Sequence, residues 1–283
     1  MRTRALLTSL LLIAFAPNAL HAETPLERGR YLMNAIVACG NCHTPQTPEG
    51  PAPGQELAGQ FLIKTPGFTA YAPNISQDTE TGIGNWTDEQ IINAIRNGRR
   101  PDGTLIGPPM PFEFYRHMSD SDVRAIVAYL RTVPPVKNTT LRSTYNFPLP
   151  PAYGPEVTTV ADVPTDDPVK YGEYLTGPLA HCWACHSPIV NGEPDYEHQF
   201  GAGGQVLDGP WGTAVSPNIT PHEDGIRDYS DDDVMRAIST GVRPDGSRLS
   251  PPMGFYYYKN IRPDDLKAMV AYIRTVPPKP LPK

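Results

Sequence analysis

Val123, Ile126, Val127 and Leu130 fall at helical spacing in an otherwise polar stretch, which predicts an amphipathic helix over 119–132 with one buried face. Ser119-Asp-Ser-Asp122 caps it and places acidic side chains against its dipole, and Pro134-Pro135 stops it. The pattern returns at Pro263 to Thr275, stopped by Pro277-Pro278. Leu26 to Val37 reads as an opening helix containing Gly29, and Gly172 holds the equivalent place further on. Glycine inside a helix costs about 1 kcal/mol against alanine, so its repetition implies close approach by another helix, for which the closing helix is the candidate. Thr87-Asp-Glu-Gln90 is a capping box for a middle helix running to Asn97, with Gly98 as its stop. Ser230-Asp-Asp-Asp233 to Thr240, with Gly241, repeats it. No run alternates strongly enough to predict a substantial sheet, so the expected fold class is all-α and loop-rich.

These patterns recur because the chain is a tandem duplication with an offset of 143 residues. Gly29-Arg-Tyr31-Leu32 matches Gly172-Glu-Tyr174-Leu175, and Arg100-Pro-Asp-Gly103 matches Arg243-Pro-Asp-Gly246. Pro108-Pro109-Met110 matches Pro251-Pro252-Met253, and Ala128-Tyr-Leu-Arg-Thr-Val-Pro-Pro135 matches Ala271-Tyr-Ile-Arg-Thr-Val-Pro-Pro278. Pro73-Asn74-Ile75 matches Pro217-Asn218-Ile219 one residue out of step, a loop difference. Two homologous domains are expected, 23–135 and 169–283, rather than a solenoid of short repeats. Residues 136–168 hold six prolines and no helical periodicity, and read as a semi-extended linker packed over the surface.

A length of 283 residues suits two such domains. Residues 1–22 read as a secretory signal: Arg2 and Arg4 precede an apolar run from Ala5 to Ala16, with cleavage expected after Ala22. No later stretch is apolar enough to predict a membrane span, so a soluble chain exported to a bacterial periplasm, without a transmembrane anchor of its own, is expected. Without the signal, 22 basic face 30 acidic residues, a formal charge of −8. That balance argues against a nucleic-acid partner and suits either docking to a basic redox partner or simple solubility. The sequons at Asn74, Asn85, Asn138 and Asn218 read as chance.

The chemistry is concentrated in Cys39-Gly-Asn-Cys42-His43 and Cys182-Trp-Ala-Cys185-His186. Each is C-x-x-C-H, the pattern for covalent attachment of haem c. Two thiols add to the two vinyl groups of one porphyrin, and the adjacent histidine ligates the iron. These four are all the cysteines in the chain. A structural zinc site or redox dithiols are the alternative, disfavoured by the histidine after both pairs. Two covalently bound haems are therefore expected.

A proximal histidine leaves one axial position, which methionine, histidine or nothing can fill. Met110 and Met253 each follow their histidine by 67 residues, in matching Pro-Pro-Met loops. They are the only methionines that repeat at the offset, and they are the candidate distal ligands. Met33, Met118, Met235 and Met269 read as core, and His117, His181, His198 and His222 as local or surface residues, although His198 or His222 remains an alternative ligand at one site. Arg100 and Arg243 are candidate partners of haem propionates, or else they stabilise their own turns. Asn74 and Asn218 either donate to propionates or orient a loop through Asx turns. Trp86 and its counterpart Tyr229 are candidates to pack beside the porphyrin, or are plain core. The Pro45 or Pro188 carbonyl is the candidate acceptor for the proximal histidine's free N–H.

These residues resemble the class I cytochrome c fold, repeated twice. More narrowly, Ala72-Pro-Asn-Ile-Ser76, Gly82-Ile-Gly-Asn-Trp86, Arg100-Pro-Asp-Gly103 and Ala128-Tyr-Leu-Arg131 resemble multihaem cytochrome c subunits of periplasmic alcohol-, gluconate- and related dehydrogenases. The resemblance implies an electron carrier rather than an enzyme, taking electrons from a periplasmic dehydrogenase and delivering them to a membrane oxidase or another cytochrome. Many such subunits carry three haems and some a membrane helix; two motifs and no such helix appear here. A dihaem peroxidase-like enzyme is the rival reading; it needs one site that opens to peroxide, and matching methionine loops in both repeats argue against it. A haem-based sensor or a thiosulfate-oxidising dihaem enzyme is a more distant possibility.

Overall fold

The computed structural model describes residues 22–47, 50–209 and 211–282, so the expected signal segment lies, but for Ala22, outside the described residues. Each repeat begins with an opening helix, Pro25–Asn34 or Pro168–Tyr174, the latter continued by a π-helical turn at Leu175–Leu179. A short helix then carries the C-x-x-C-H motif, Gly40–His43 or Cys182–His186. The middle helices are Asp88–Asn97 and Asp231–Thr240, each with a formed capping box and a left-handed glycine, Gly98 or Gly241, at its C-cap. Short helices Phe112–Tyr115 and Phe255–Tyr258 precede the closing helices, Asp120–Leu130 and Pro263–Ile273.

The expectation of an all-α fold is overturned. Among the described residues helix accounts for 31% and strand for 12%, and the described strands form four small antiparallel sheets. A tight hairpin follows each motif, Gln46–Thr47 with Gly50–Pro51 and Ile189–Val190 with Glu193–Pro194. A longer one follows it, Gln60–Lys64 with Phe68–Ala72 and Val206–Gly209 with Gly212–Val215. In the first repeat Thr144–Tyr145, from the segment between the repeats, adds a third strand. These strands are two to five residues long, too short for alternation to show. Their pairing satisfies the backbone groups of long loops, partly through partners distant in sequence.

The opening and closing helices of each repeat are in backbone contact. A Cβ at Gly29 would lie 1.8 Å from the Ala125 carbonyl oxygen, and one at Gly172 would lie 1.9 Å from that of Ala268. The expected reason for both glycines is thus visible in the structure. Leu32, Ile36, Val123, Ile126 and Val127 of the first repeat share one buried cluster with Leu175, Leu179, Leu266 and Met269 of the second.

Across that shared core the repeats exchange an equivalent pair of bonds. Tyr174 donates to Asp122 Oδ2 at 2.7 Å and accepts from the Ser119 amide at 3.0 Å. Tyr31, its counterpart, donates to Asp265 and accepts from the Arg262 amide at 3.1 Å. Each tyrosine therefore caps the other repeat's closing helix, supplying orphan groups at the helix start with partners. Arg28 adds a two-pronged ion pair to Asp122, at 2.7 and 3.0 Å. Burial first, then the hydrogen bond to Asp265, raises the Tyr31 phenol above its usual range.

Gly29→Ala is expected to destabilise the fold by about 1–3 kcal/mol through overpacking, despite alanine's better helix propensity. A urea unfolding midpoint at or above that of the parent would show that the helices separate without cost.

Candidate functional site

His186 and Met253 line one cleft of about 210 Å³ in the second repeat. Cys182, Asn218, Tyr229 and Arg243 line it too, so six of the seven candidate haem-binding residues of this repeat meet there; Cys185 is not among the lining residues. The rest of the lining is mainly apolar, including Ile219, Ile226, Val234, Ile238, Leu249, Met269 and Ile273. In the first repeat Cys39, Trp86 and Met110 pack against the buried cluster that includes Leu57, Ile83 and Ile91, and His43 is buried. An imidazole, a thioether and a tethering thiol around an apolar cleft fit a flat macrocycle with a central iron. The donor set does not fit zinc: among the described residues no three His, Cys, Asp or Glu side chains gather to hold a metal ion.

Each motif starts from a strained backbone, with Ala38 at φ 51° and His181 at φ 42°. Burial pushes the Cys39 and Cys182 thiols up to about 12, so both are protonated at neutral pH. Desolvation lowers the pKa of both motif histidines, which favours neutral imidazoles.

The partner of those rings is not the expected one. His43 Nδ1 lies 2.9 Å from the Pro73 carbonyl oxygen and His186 Nδ1 lies 2.8 Å from that of Pro217. Pro45 and Pro188 instead accept backbone amides, from Ala52 and Asp195. With Nδ1–H donating to the carbonyl, Nε2 keeps its lone pair for a metal, and the bond orients the ring. Sequence reasoning chose the nearest proline; the repeated Pro-Asn-Ile was the available signal, but only folding returns it to the motif. Gly59 and Gly203 make that return possible. Each amide donates to the motif histidine's carbonyl, at 2.7 and 2.8 Å. A Cβ on either would lie 2.6 or 2.5 Å from the amide nitrogen of Asn74 or Asn218.

The asparagines orient this loop. Asn74 Oδ1 accepts from the Ser76 amide at 2.9 Å, while Nδ2 donates to the Val136 carbonyl at 2.7 Å and Thr81 Oγ1 at 3.0 Å. Asn218 does the same with the Thr220 amide, 2.8 Å, and the Lys279 carbonyl, 2.6 Å. Arg100 donates to the Leu105 carbonyl at 2.6 Å within its own turn, whereas Arg243 bonds Ser247 Oγ at 3.2 Å and borders the cleft. Trp86 and Tyr229 are held through their carbonyls, which accept from Arg131 and Arg274. Those arginines belong to the repeated Ala-Tyr-x-Arg, whose role sequence reasoning did not assign. His198 and His222 pair locally with Asp195 and Asp224.

The cytochrome c family profile matches residues 26–134 and 176–277, and the chain belongs to that family. It is 33% identical over 280 residues to the fructose dehydrogenase cytochrome subunit of Gluconobacter japonicus, covering 93% of this chain and 55% of the relative. It is 31% identical over 290 residues to the cytochrome c subunit of a quinone alcohol dehydrogenase from Gluconobacter oxydans, covering 95% and 59%. A diheme cytochrome c-type protein of Cereibacter sphaeroides is 30% identical over 251 residues, covering 84% and 82%. The chain thus spans a little over half the length of the dehydrogenase subunits. No helix among the described residues is long and apolar enough to cross a membrane.

Asn218→Ala removes both ends of the bridge between the Pro-Asn-Ile loop and residue 279. A loss of about 1–3 kcal/mol is expected from the buried groups left unpaired. Denaturant unfolding measures it, and a change below half a kcal/mol would show the loop is held by other means.

Proposed function

We propose that this chain is a periplasmic dihaem electron carrier, reduced by a dehydrogenase and oxidised by a membrane oxidase or another cytochrome. The observation that carries this reading is the cleft of the second repeat, with His186, Met253 and the tethering Cys182 around one apolar space. Haem c, when bound, supplies the one-electron iron couple. Cys39 and Cys42, and Cys182 and Cys185, would tether one group each. His43 and Met110, and His186 and Met253, would supply the iron ligands. A histidine and a methionine at each iron would leave no free position for a substrate, which favours a carrier over an enzyme. Asn74 and Asn218 hold the loop whose proline carbonyl orients the histidine. Arg243 borders the cleft and would meet a propionate there, with Arg100 as its counterpart. Trp86 and Tyr229 would close one side of each pocket. The names of the relatives support a dehydrogenase as donor, and the net negative charge suits a basic docking partner whose attraction weakens with salt.

Mass spectrometry of chain matured in a periplasm should show two haem additions. Met110→Ala or Met253→Ala should each remove roughly half of the weak near-infrared sulfur-to-iron band and lower one site's potential. An unchanged band would remove that methionine from the assignment.

The purified protein should accept electrons from a periplasmic sugar or alcohol dehydrogenase, more slowly at high salt, with negligible peroxide turnover. Peroxide turnover well above that of a monohaem cytochrome, in half-reduced protein, would favour the peroxidase-like alternative.

A further inference from the structure

The loop that carries Met110 is gripped from outside by the segment between the repeats. Tyr145 donates to the Pro108 carbonyl at 2.9 Å, and Tyr153 donates to the Ile106 carbonyl at 2.9 Å. Gly107, between them, lies so close under the Tyr145 ring that a Cβ would come within 2.4 Å of it. Tyr153 also stacks on Phe112, two residues past Met110, with ring centroids 5.0 Å apart. Arg142 reaches the same loop through Asp102 at 2.9 Å and Thr104 at 3.2 Å.

Both tyrosines are anchored. Thr144–Tyr145 pairs with the strand Phe68–Ala72, and the Asn146 amide donates to Gly67 at 2.8 Å. Arg116 donates to the carbonyls of Tyr153 and Pro155. The second repeat offers an internal comparison. Gly107 is buried, whereas its counterpart Ser250 is exposed, as is Pro251 opposite Pro108. Among the described residues, the side-chain hydrogen bond to that loop's prolines comes from Asn41, to Pro252 at 3.0 Å.

We propose that Tyr145 and Tyr153 are positioning residues that strap the Met110 loop in place, so that residues 136–168 act on the first site and not on the second. The strap follows from the hydrogen bonds alone. Its effect on a metal ligand rests on the function proposed above. A strapped loop returns its thioether to the same point after each excursion, so a competing exogenous ligand should displace Met110 less readily than it would without the strap.

The test uses the full haem-loaded chain with Tyr145→Phe and Tyr153→Phe, singly and together, which keep the rings and remove the donors. Hydrogen exchange of residues 104–112 should quicken roughly fivefold per lost hydroxyl, while residues 247–255 stay unchanged. Imidazole titration, followed by the loss of the near-infrared band, should show one site displaced at correspondingly lower concentration and the other unmoved. Faster exchange with unmoved imidazole affinity would support the strap and count against Met110 as the ligand. Unchanged exchange in the double variant, or equal quickening of both loops, would overturn the strap; if the double variant fails to mature, the single variants carry the same comparison.

Discussion

Backbone contact between the opening and closing helices, at Gly29 over Ala125 and Gly172 over Ala268, is the constraint on which both sites depend. Helices normally pack with side chains between them, 8–10 Å apart axis to axis. Glycine removes that layer and locks the crossing point. The chain between the two helices must then leave and return at fixed places, as one long excursion. His43 sits near its start and Met110 near its end, and the same holds for His186 and Met253. Within the excursion, Gly59 and Gly203 bring the Pro-Asn-Ile loop against the motif, so a proline carbonyl meets the histidine ring. Local turns alone could not supply that partner, because it lies 30 residues away.

The same closing helices join the repeats. Tyr31 and Tyr174 each cap the partner repeat's closing helix, and Arg28 strengthens one side through Asp122. These polar groups stand beside a shared apolar core and are mutually satisfied, the condition under which burial of such groups specifies one arrangement. The cysteines of the two motifs are near enough to interact electrostatically. Desolvation first, and then the neighbouring Cys185, push the Cys42 thiol up to about 11. Burial first, and then the motif cysteines nearby, raise the phenols of Tyr115 and Tyr258, which are equivalent by the duplication. The docking that stabilises the pair thus also sets how far apart the two proposed redox sites stand.

Duplication did not leave the halves identical. The second opening helix runs on into a π-helical turn containing Pro178, where the first ends at Asn34 and keeps the equivalent backbone bond from the Val37 amide to the Leu32 carbonyl. His181 replaces Ala38 before the motif and packs edge-on to Tyr115, 5.6 Å between centroids. The segment 136–168 lies along the first repeat and donates a strand to it. Equivalent Pro-Pro-Met loops therefore sit in different surroundings, which is how one fold can hold two sites of different character.

Periodicity and caps made the helices legible, because each is decided by residues three or four apart: Thr87 with Gln90, Ser230 with Asp233, Val123 with Ile126 and Val127. The C-x-x-C-H motifs and the paired Pro-Pro-Met loops were legible because covalent chemistry and duplication leave exact spacings. The short hairpins were not, since two-residue strands carry no period and Tyr145 finds its strand partner only in three dimensions. Nor was the histidine's true partner, Pro73 rather than Pro45, or the tyrosines that cap across the interface. The sequence by itself determined which residues can attach, ligate and cap, since those are properties of side chains and of near neighbours along the chain. Only the tertiary structure decided which of them meet, because hydrogen-bond partners and packing across 30 to 230 residues depend on where the glycine-locked helices cross.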